Sequence, residues 1–270
     1  MRVVILGMGR LGRTLARLLP RAGHEVLTWQ RGQAVPLGEI AWITVSDDAI
    51  AQVARLVPPG SIVLHSSGAL GVEVLRPYRP AGNLHPMATF PGPEVAIPDL
   101  EGVPAAVAGD AEAVEAATVL AQALGLRPVR VPGDRPLYHA ASVIAGNFAA
   151  VLLAEAADLL VAAGVEAGEA AGLLLPLAHA SLDHAALPGH GAAITGPFAR
   201  GDATTVAAHR RALASAAPRV LPAYDALGRL ALDRASGLVR ERREAVQRAL
   251  TEETSGTVLP GSSRSRAKGP

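Results

Sequence analysis

Val3-Val4-Ile5-Leu6-Gly7-Met8-Gly9-Arg10-Leu11-Gly12 sets four apolar residues before three glycines spaced Gly-x-Gly-x-x-Gly, and Thr14 to Leu19 follow with helical apolar spacing. A buried strand that turns through such a loop into a helix is how a parallel sheet presents a phosphate site. Gly7 permits the tight turn, Gly9 lets a pyrophosphate approach the backbone, and Gly12 lets the helix sit close to the strand. Met8, Arg10 and Leu11 complete the loop, and the helix start adds free N–H groups and a positive dipole end. Arg10 reads equally well as a second charge for the phosphates or as a solvated surface residue.

Outward from this loop, short apolar runs alternate with helical stretches: Glu25 to Trp29, Ala41 to Val45, Ile62 to His65, Gly82 to His85, Ala105 to Ala108 and Arg127 to Val131. Continuous Val/Ile/Leu runs joined by helices predict a mainly parallel sheet buried on both faces, a doubly wound α/β domain over residues 1–135. Around Pro132-Gly133-Asp134-Arg135-Pro136 the pattern changes. Leu137 to Ala163, Ala167 to Ala186, Thr204 to Ala217 and Pro218 to about Leu250 all read helical, so an all-α domain is expected over 136–250. Residues 251–270, with Gly, Ser, Arg and Pro and almost nothing apolar, bury too little surface to offset ordering entropy and are expected to be a disordered tail.

Composition narrows the chemistry. Of 270 residues half are hydrophobic but only 3% aromatic, so Ala, Val and Leu must fill the core. A net charge of +1 with interspersed signs offers no basic stripe for nucleic acid. The absence of Cys removes thiol nucleophiles and thiolate metal sites. The single lysine, Lys268, lies in the tail, leaving cationic work to Arg and His. The start enters glycine-rich sequence too early for a secretory signal, and the longest apolar stretch, between His139 and Glu155, is read as too short for a bilayer. A cytoplasmic protein without membrane or nucleic-acid partners is expected.

Cofactor choice is read at the end of the second strand. An NAD, FAD or S-adenosylmethionine site usually carries an acid there for the ribose hydroxyls; this chain has Gln30-Arg31. A guanidinium can pair with a 2′-phosphate that a carboxylate would repel, so NADP(H) is preferred and a methyltransferase is a distant alternative.

Ligands of such sheets bind beyond the carboxyl ends of the strands, where Val45-Ser46-Asp47, His65-Ser66-Ser67-Gly68 and His85-Pro86-Met87 fall. Val45, Ser46, Ser66 and Ser67 are candidates for the cofactor; Asp47 or Asp48 is assigned to capping the next helix. His65 or His85 could protonate a product near neutral pH, or be structural. In the helix after the boundary, His139, Ser142 and Asn147 fall within about 140° at 100° per residue, a polar face that either lines an interdomain cleft or packs on backbone groups. Arg200, in Thr195-Gly196-Pro197-Phe198-Ala199-Arg200-Gly201-Asp202, is the candidate clamp for an acidic substrate, and Asp202 a helix cap. Of His179, Asp183, His184 and His190 only His179 and Asp183 have a shared-face spacing and no second shell is evident, so the cluster is assigned to the surface or a subunit contact.

The ordered set Gly7 to Gly12, His65-Ser66-Ser67-Gly68-Ala69-Leu70, Leu84-His85-Pro86-Met87, Tyr138-His139-Ala140-Ala141-Ser142 with Asn147, and Thr195 to Asp202 with His209 resembles the bacterial Rossmann-fold proteins that carry a C-terminal domain of unknown function 2520. That family is similar in layout to pyrroline-5-carboxylate reductase and the β-hydroxyacid dehydrogenases. The resemblance implies a helical domain like the C-terminal domain of 6-phosphogluconate dehydrogenase, NADP(H) binding, and a homodimer through the helical domain. The β-hydroxyacid enzymes place a Lys four residues before an Asn, where this chain has Val143. The resulting expectation is an NADP(H)-dependent oxidoreductase that reduces a small carbonyl or imine acid, with His85 or His139 as proton donor and Ser66, Asn147 and Arg200 orienting the substrate. The alternative is a non-catalytic NADP(H) sensor.

Overall fold

The computed structural model describes residues 1–92, 98–187 and 195–252. His190 and all but the first two residues of the expected tail lie outside them. Two compact units divide the chain, Met1–Phe148 and Ala149–Pro270.

In the first unit seven strands form one sheet: β1 (Arg2–Leu6), β2 (Glu25–Trp29), β3 (Ile40–Ile43), β4 (Ile62–His65), β5 (Ala81–Pro86), β6 (Pro104–Gly109) and β7 (Arg127–Arg130). Their order is β2-β1-β3-β4-β5-β6-β7, and every pair is parallel except β5 with β6. The alternation of side chains explains why the strands read as continuous apolar runs. On one face Val3, Ile5, Ile40, Trp42 and Leu64 join a core with helices α1 (Arg10–Leu18) and α3 (Ala111–Ala123). On the other Val4, Leu6, Ala41, Ile43 and Val63 pack with the short α2 (Ile50–Ala54). Strand order reverses about β1, which places a crevice at the carboxyl ends of β1 and β3.

The expected boundary at 135 falls inside this unit. Helix α4 (Arg135–Val143), capped by Asp134 accepting from Leu137 N, groups with the sheet, and its first residue, Arg135, is bonded to Ser67 just after β4 and to Asn83 within β5. A π-helical segment, Ile144–Phe148, follows and leads into α5 (Ala149–Ala162). The run Arg135–Ala162 is long and apolar enough by length and composition to cross a bilayer, which corrects the shorter apolar stretch read from the sequence. The helical run continues past both ends of that stretch, back to Arg135 and on beyond Glu155 to Ala162, which makes the difference.

The second unit holds α5, α6 (Ala167–Ala186), α7 (Gly196–Arg200), α8 (Ala203–Ala216), α9 (Leu221–Arg234) and α10 (Arg240–Ala249). One helix from Pro218 to Leu250 was expected; the chain breaks it at Ala235–Val239, where Gly237 takes φ +76°. Val206, Leu232, Val246 and Leu250 form a small core. Beside it Arg210 pairs bidentately with Asp225 at 2.9 and 3.1 Å, and its Nη1 donates to the carbonyls of Ala249 and Glu252. Asp202 caps α8 as expected, accepting from Thr205 N and Thr205 Oγ1.

Candidate functional site

The glycine loop follows β1 directly. Gly7 sits at φ +121°, where a side chain would be strained and would press on Thr44 and Val45. A Cβ on Gly12 would overlap the carbonyl oxygen of Gly7, so only glycine lets α1 approach the strand this closely. Thr44 Oγ1 donates to the same carbonyl at 2.7 Å, tying the loop to β3. Gly9 is different: at φ −70° and ψ −165° any residue fits, and its Cβ would meet nothing within 4 Å. Protein packing therefore gives no reason for glycine there. The open space lies at the N-cap of α1, whose first turn carries no acid, and it fits a dinucleotide pyrophosphate. Met8 O accepts from Arg13 Nε, Arg10 is exposed at the helix start, and Leu11 packs against the core. Gln30 and Arg31 are exposed just after β2, and Arg31 forms no ion pair among the described residues. Val45 and the exposed Ser46 follow β3.

Asp47 does not cap a helix. Ser46 occupies the cap position of a 3₁₀ turn, Asp47–Ala49, and the Asp47 carboxylate instead accepts from Ser67 Oγ at 2.8 Å. That hydroxyl also accepts from the amides of Ala69 and Leu70, so Ser67 shapes the turn after β4. Ser66 Oγ accepts from Trp42 Nε1 at 2.7 Å and donates to Leu84 O at 2.8 Å. Its one proton is spent inside the sheet, against the expectation that it orients substrate.

His65 is fully buried; its Nδ1 accepts from Ser67 N and its Nε2 is enclosed without a partner. Burial, with Arg135 nearby, lowers its pKa to about 4. It is a structural imidazole in its neutral form.

His85 and His139, assigned separately from the sequence, meet here. Their ring centroids are 6.3 Å apart, and a Cβ on Gly68 would stand 2.6 Å from His139 Cδ2 and 2.9 Å from His85 Nε2. Gly68 is thus the floor on which both rings rest. His85 Nδ1 lies 2.8 Å from Tyr138 Oη, with the rings edge to face. Burial first, then Arg135 and His139, lower the His85 pKa to about 4, so the imidazole is neutral near pH 7. Burial raises the Tyr138 pKa, which keeps the phenol protonated. Arg135 stands 4.7 Å from the Tyr138 ring centroid, and its Nη2 donates to Ser67 O at 3.0 Å and Asn83 Oδ1 at 2.9 Å.

Arg135, Tyr138, Asn83 and Gly68 received no individual role in the sequence reading. A lone amide within a buried strand was the available signal for Asn83; Arg135 lay in the stretch read as a boundary. Ser142 Oγ donates to the Tyr138 carbonyl one turn back, which removes it from any polar face. Asn147 is exposed inside the π-helical segment, whose wider turn changes its phase from the straight α-helix assumed above. Arg200 is exposed at the end of α7, in the second unit, with its carbonyl accepting from Arg242. Among the described residues no cluster of metal-ligating side chains occurs.

Residues 103–231 match the model of DUF2520, a domain of unknown function. The match bears out the resemblance read from the motifs, and it begins earlier than the helical region, taking in β6, α3 and β7. A candidate NADP oxidoreductase from Bacteroides fragilis has a similar fold, with TM-score 0.72 at 22% identity over 86% of this chain and 98% of its own. The 1-pyrroline-5-carboxylate reductase of Streptococcus pyogenes aligns with TM-score 0.57 at 12% identity, covering 86% and 98%. These likenesses establish the fold, a mainly parallel Rossmann-type sheet unit followed by a helical one. In sequence, a glycerol-3-phosphate dehydrogenase [NAD(P)+] of Gloeobacter violaceus is 32% identical over 48% of this chain and 48% of its own. The chain therefore spans about half the length of the curated relatives it matches.

Proposed function

We propose that the chain is an NADP(H)-dependent oxidoreductase that reduces a C=O or C=N bond of a small molecule at the carboxyl ends of β4 and β5. The observation that carries this reading is Gly9, a glycine with open space on its Cβ side at the start of the first helix of a parallel sheet. Arg31, beyond β2 where an acid would select the unphosphorylated cofactor, supports the phosphorylated one. The relatives and structural neighbours named above include nicotinamide-dependent oxidoreductases, in keeping with it.

NADPH would supply the hydride. In this reading the Tyr138 hydroxyl, 2.8 Å from His85 Nδ1, is the donor of that hydrogen bond, which puts the ring proton on Nε2, the nitrogen that faces Gly68. As the substrate heteroatom gains electrons it takes the Nε2 proton, and Nδ1 takes the Tyr138 proton. The transient phenolate is stabilised by Arg135 above its ring and is reprotonated from water. His85 is thus a relay in its neutral form rather than an imidazolium donor. A non-catalytic sensor is not favoured, since it has no need of a tyrosine, two imidazoles and a guanidinium gathered around one glycine. Helices α5 and α6 leave Val151, Leu152, Leu173, Leu175, Leu177 and Leu182 exposed, and we assign this apolar surface to a homodimer contact.

NADPH and NADH affinities, read from nicotinamide fluorescence, test the cofactor assignment: Arg31→Ala should erase a preference for NADPH. NADPH oxidation with a panel of imino acids, keto acids and aldehydes tests the reaction. Tyr138→Phe and His85→Gln should abolish turnover while keeping NADPH affinity. Failure of the wild type to oxidise NADPH with any member overturns the reductase reading.

A further inference from the structure

Arg135 is a half-buried cation whose acceptors are all neutral. Its Nη2 bonds to the Ser67 carbonyl and the Asn83 amide oxygen, its face lies on Tyr138, and Nε is enclosed without any acceptor. Among the described residues Nη1 makes no hydrogen bond and Arg135 enters no ion pair. Asp47, the carboxylate that acts on the neighbouring His85, is already bonded to Ser67 Oγ. Holding a guanidinium partly out of water without a counter-ion is costly, and proteins rarely keep one unless an anion joins it.

Position identifies which anion. Ser67 follows β4 and Asn83 lies on β5, and in the order β1-β3-β4-β5 the latter is three strands from the glycine loop. At about 4.8 Å per strand the guanidinium held between Ser67 and Asn83 stands roughly 10–14 Å across the sheet from β1, beyond ion-pair distance of a pyrophosphate at Gly9 and farther still from Arg31 beyond β2. What remains within reach is the molecule that stands over His85.

We propose that Arg135 is the counter-ion for an oxyanion on the substrate, so that the substrate class is a small organic acid, carboxylate or phosphate ester, with a reducible bond beside the acidic group. The proposal rests on the reductase reading for its location and transfers to Arg135 the clamp that the sequence assigned to Arg200. Arg135 is the site's binding residue, and Tyr138 and His85 carry the proton.

Calorimetric titration of the full chain with propionate, malonate, inorganic phosphate and the neutral propionamide, with and without NADP+, tests it. At least one anion should bind while propionamide does not. Arg135→Met should weaken that anion about 10-fold or more, Arg135→Lys should weaken it less, and Arg200→Met should leave it unchanged. A carboxylate or phosphate preference names the acidic group. No anion binding by the wild type, undiminished binding by Arg135→Met, or loss in Arg200→Met instead would overturn the assignment. NADPH affinity measured on the same samples separates the outcomes: its absence in the wild type defeats the reductase reading, whereas retained NADPH affinity with unchanged anion binding in Arg135→Met defeats only this inference. Unfolding midpoints of the Lys and Met variants exclude a folding effect.

Discussion

Replacing Gly9 by alanine should separate folding from cofactor binding. The new methyl meets nothing in the protein within 4 Å, and the backbone angles are ordinary for alanine. Losing glycine at a helix cap costs up to about 1 kcal/mol, and the stiffer unfolded chain returns about 0.4–1 kcal/mol, so stability should hardly move. Binding is another matter, because the methyl fills the space through which a phosphate reaches the backbone. Pushing one phosphate oxygen off one N–H removes a charge-assisted hydrogen bond of about 1.5–3 kcal/mol. The Kd for NADPH should therefore rise about 10- to 150-fold. Fluorescence titration measures the affinity and urea unfolding the stability. Gly12→Ala is the contrast: its Cβ collides with the Gly7 carbonyl and lies 2.8 Å from Thr44 Oγ1, so stability and binding should fall together. Wild-type affinity in a folded Gly9→Ala protein would refute the pyrophosphate cradle.

Three further outcomes follow from the packing. His65 and His85 are neutral in the fold, with pKa values near 4, but become charged in the unfolded chain below about pH 6.5. The unfolded state binds more protons between these limits, so unfolding free energy should be full above pH 6.5 and decline as pH falls toward 4; a pH series of urea melts reads this, and His85→Gln should flatten the slope. Asp225→Ala strands the buried Arg210 guanidinium and should destabilise the helical unit by about 3–5 kcal/mol, while the double replacement Arg210→Met with Asp225→Leu recovers much of the loss in thermal unfolding. Leu173→Glu with Leu177→Glu should turn a dimer into a monomer by light scattering; a wild type that is already monomeric removes the dimer proposal.

The β1 loop was legible because each of its constraints is local. Strand, turn and helix follow one another within about 15 residues, and the glycine spacing records close approaches between neighbours such as Gly7 and Gly12. The inner strands β1, β3 and β4 were legible for a related reason: two buried faces demand continuous apolar runs, and few other structures do, whereas the partly exposed edge strands β2 and β7 were legible from their place in the alternation with helices. The break at Gly237 was harder to see, because the residues on either side both favour helix and only the backbone turn distinguishes two helices from one.

The candidate site obeys another logic. Arg135 meets Ser67 and Asn83 across 68 and 52 residues of sequence, and Tyr138 meets His85 across 53. Such pairings are made by the fold and leave no spacing to read. Strand-end inspection found His85 because parallel sheets put ligands there, and the same rule overvalued Ser66, whose hydroxyl the sheet uses to seat Trp42. What distinguishes the two positions is whether the side chain's polar atoms are already satisfied by the scaffold. Ser66 donates its hydrogen bond to Leu84, whereas Arg135 Nη1 makes no hydrogen bond among the described residues and Gly9 has space with nothing to fill it. Unspent valence of this kind, visible only once the chain is folded, is what points to ligands at both ends of the site.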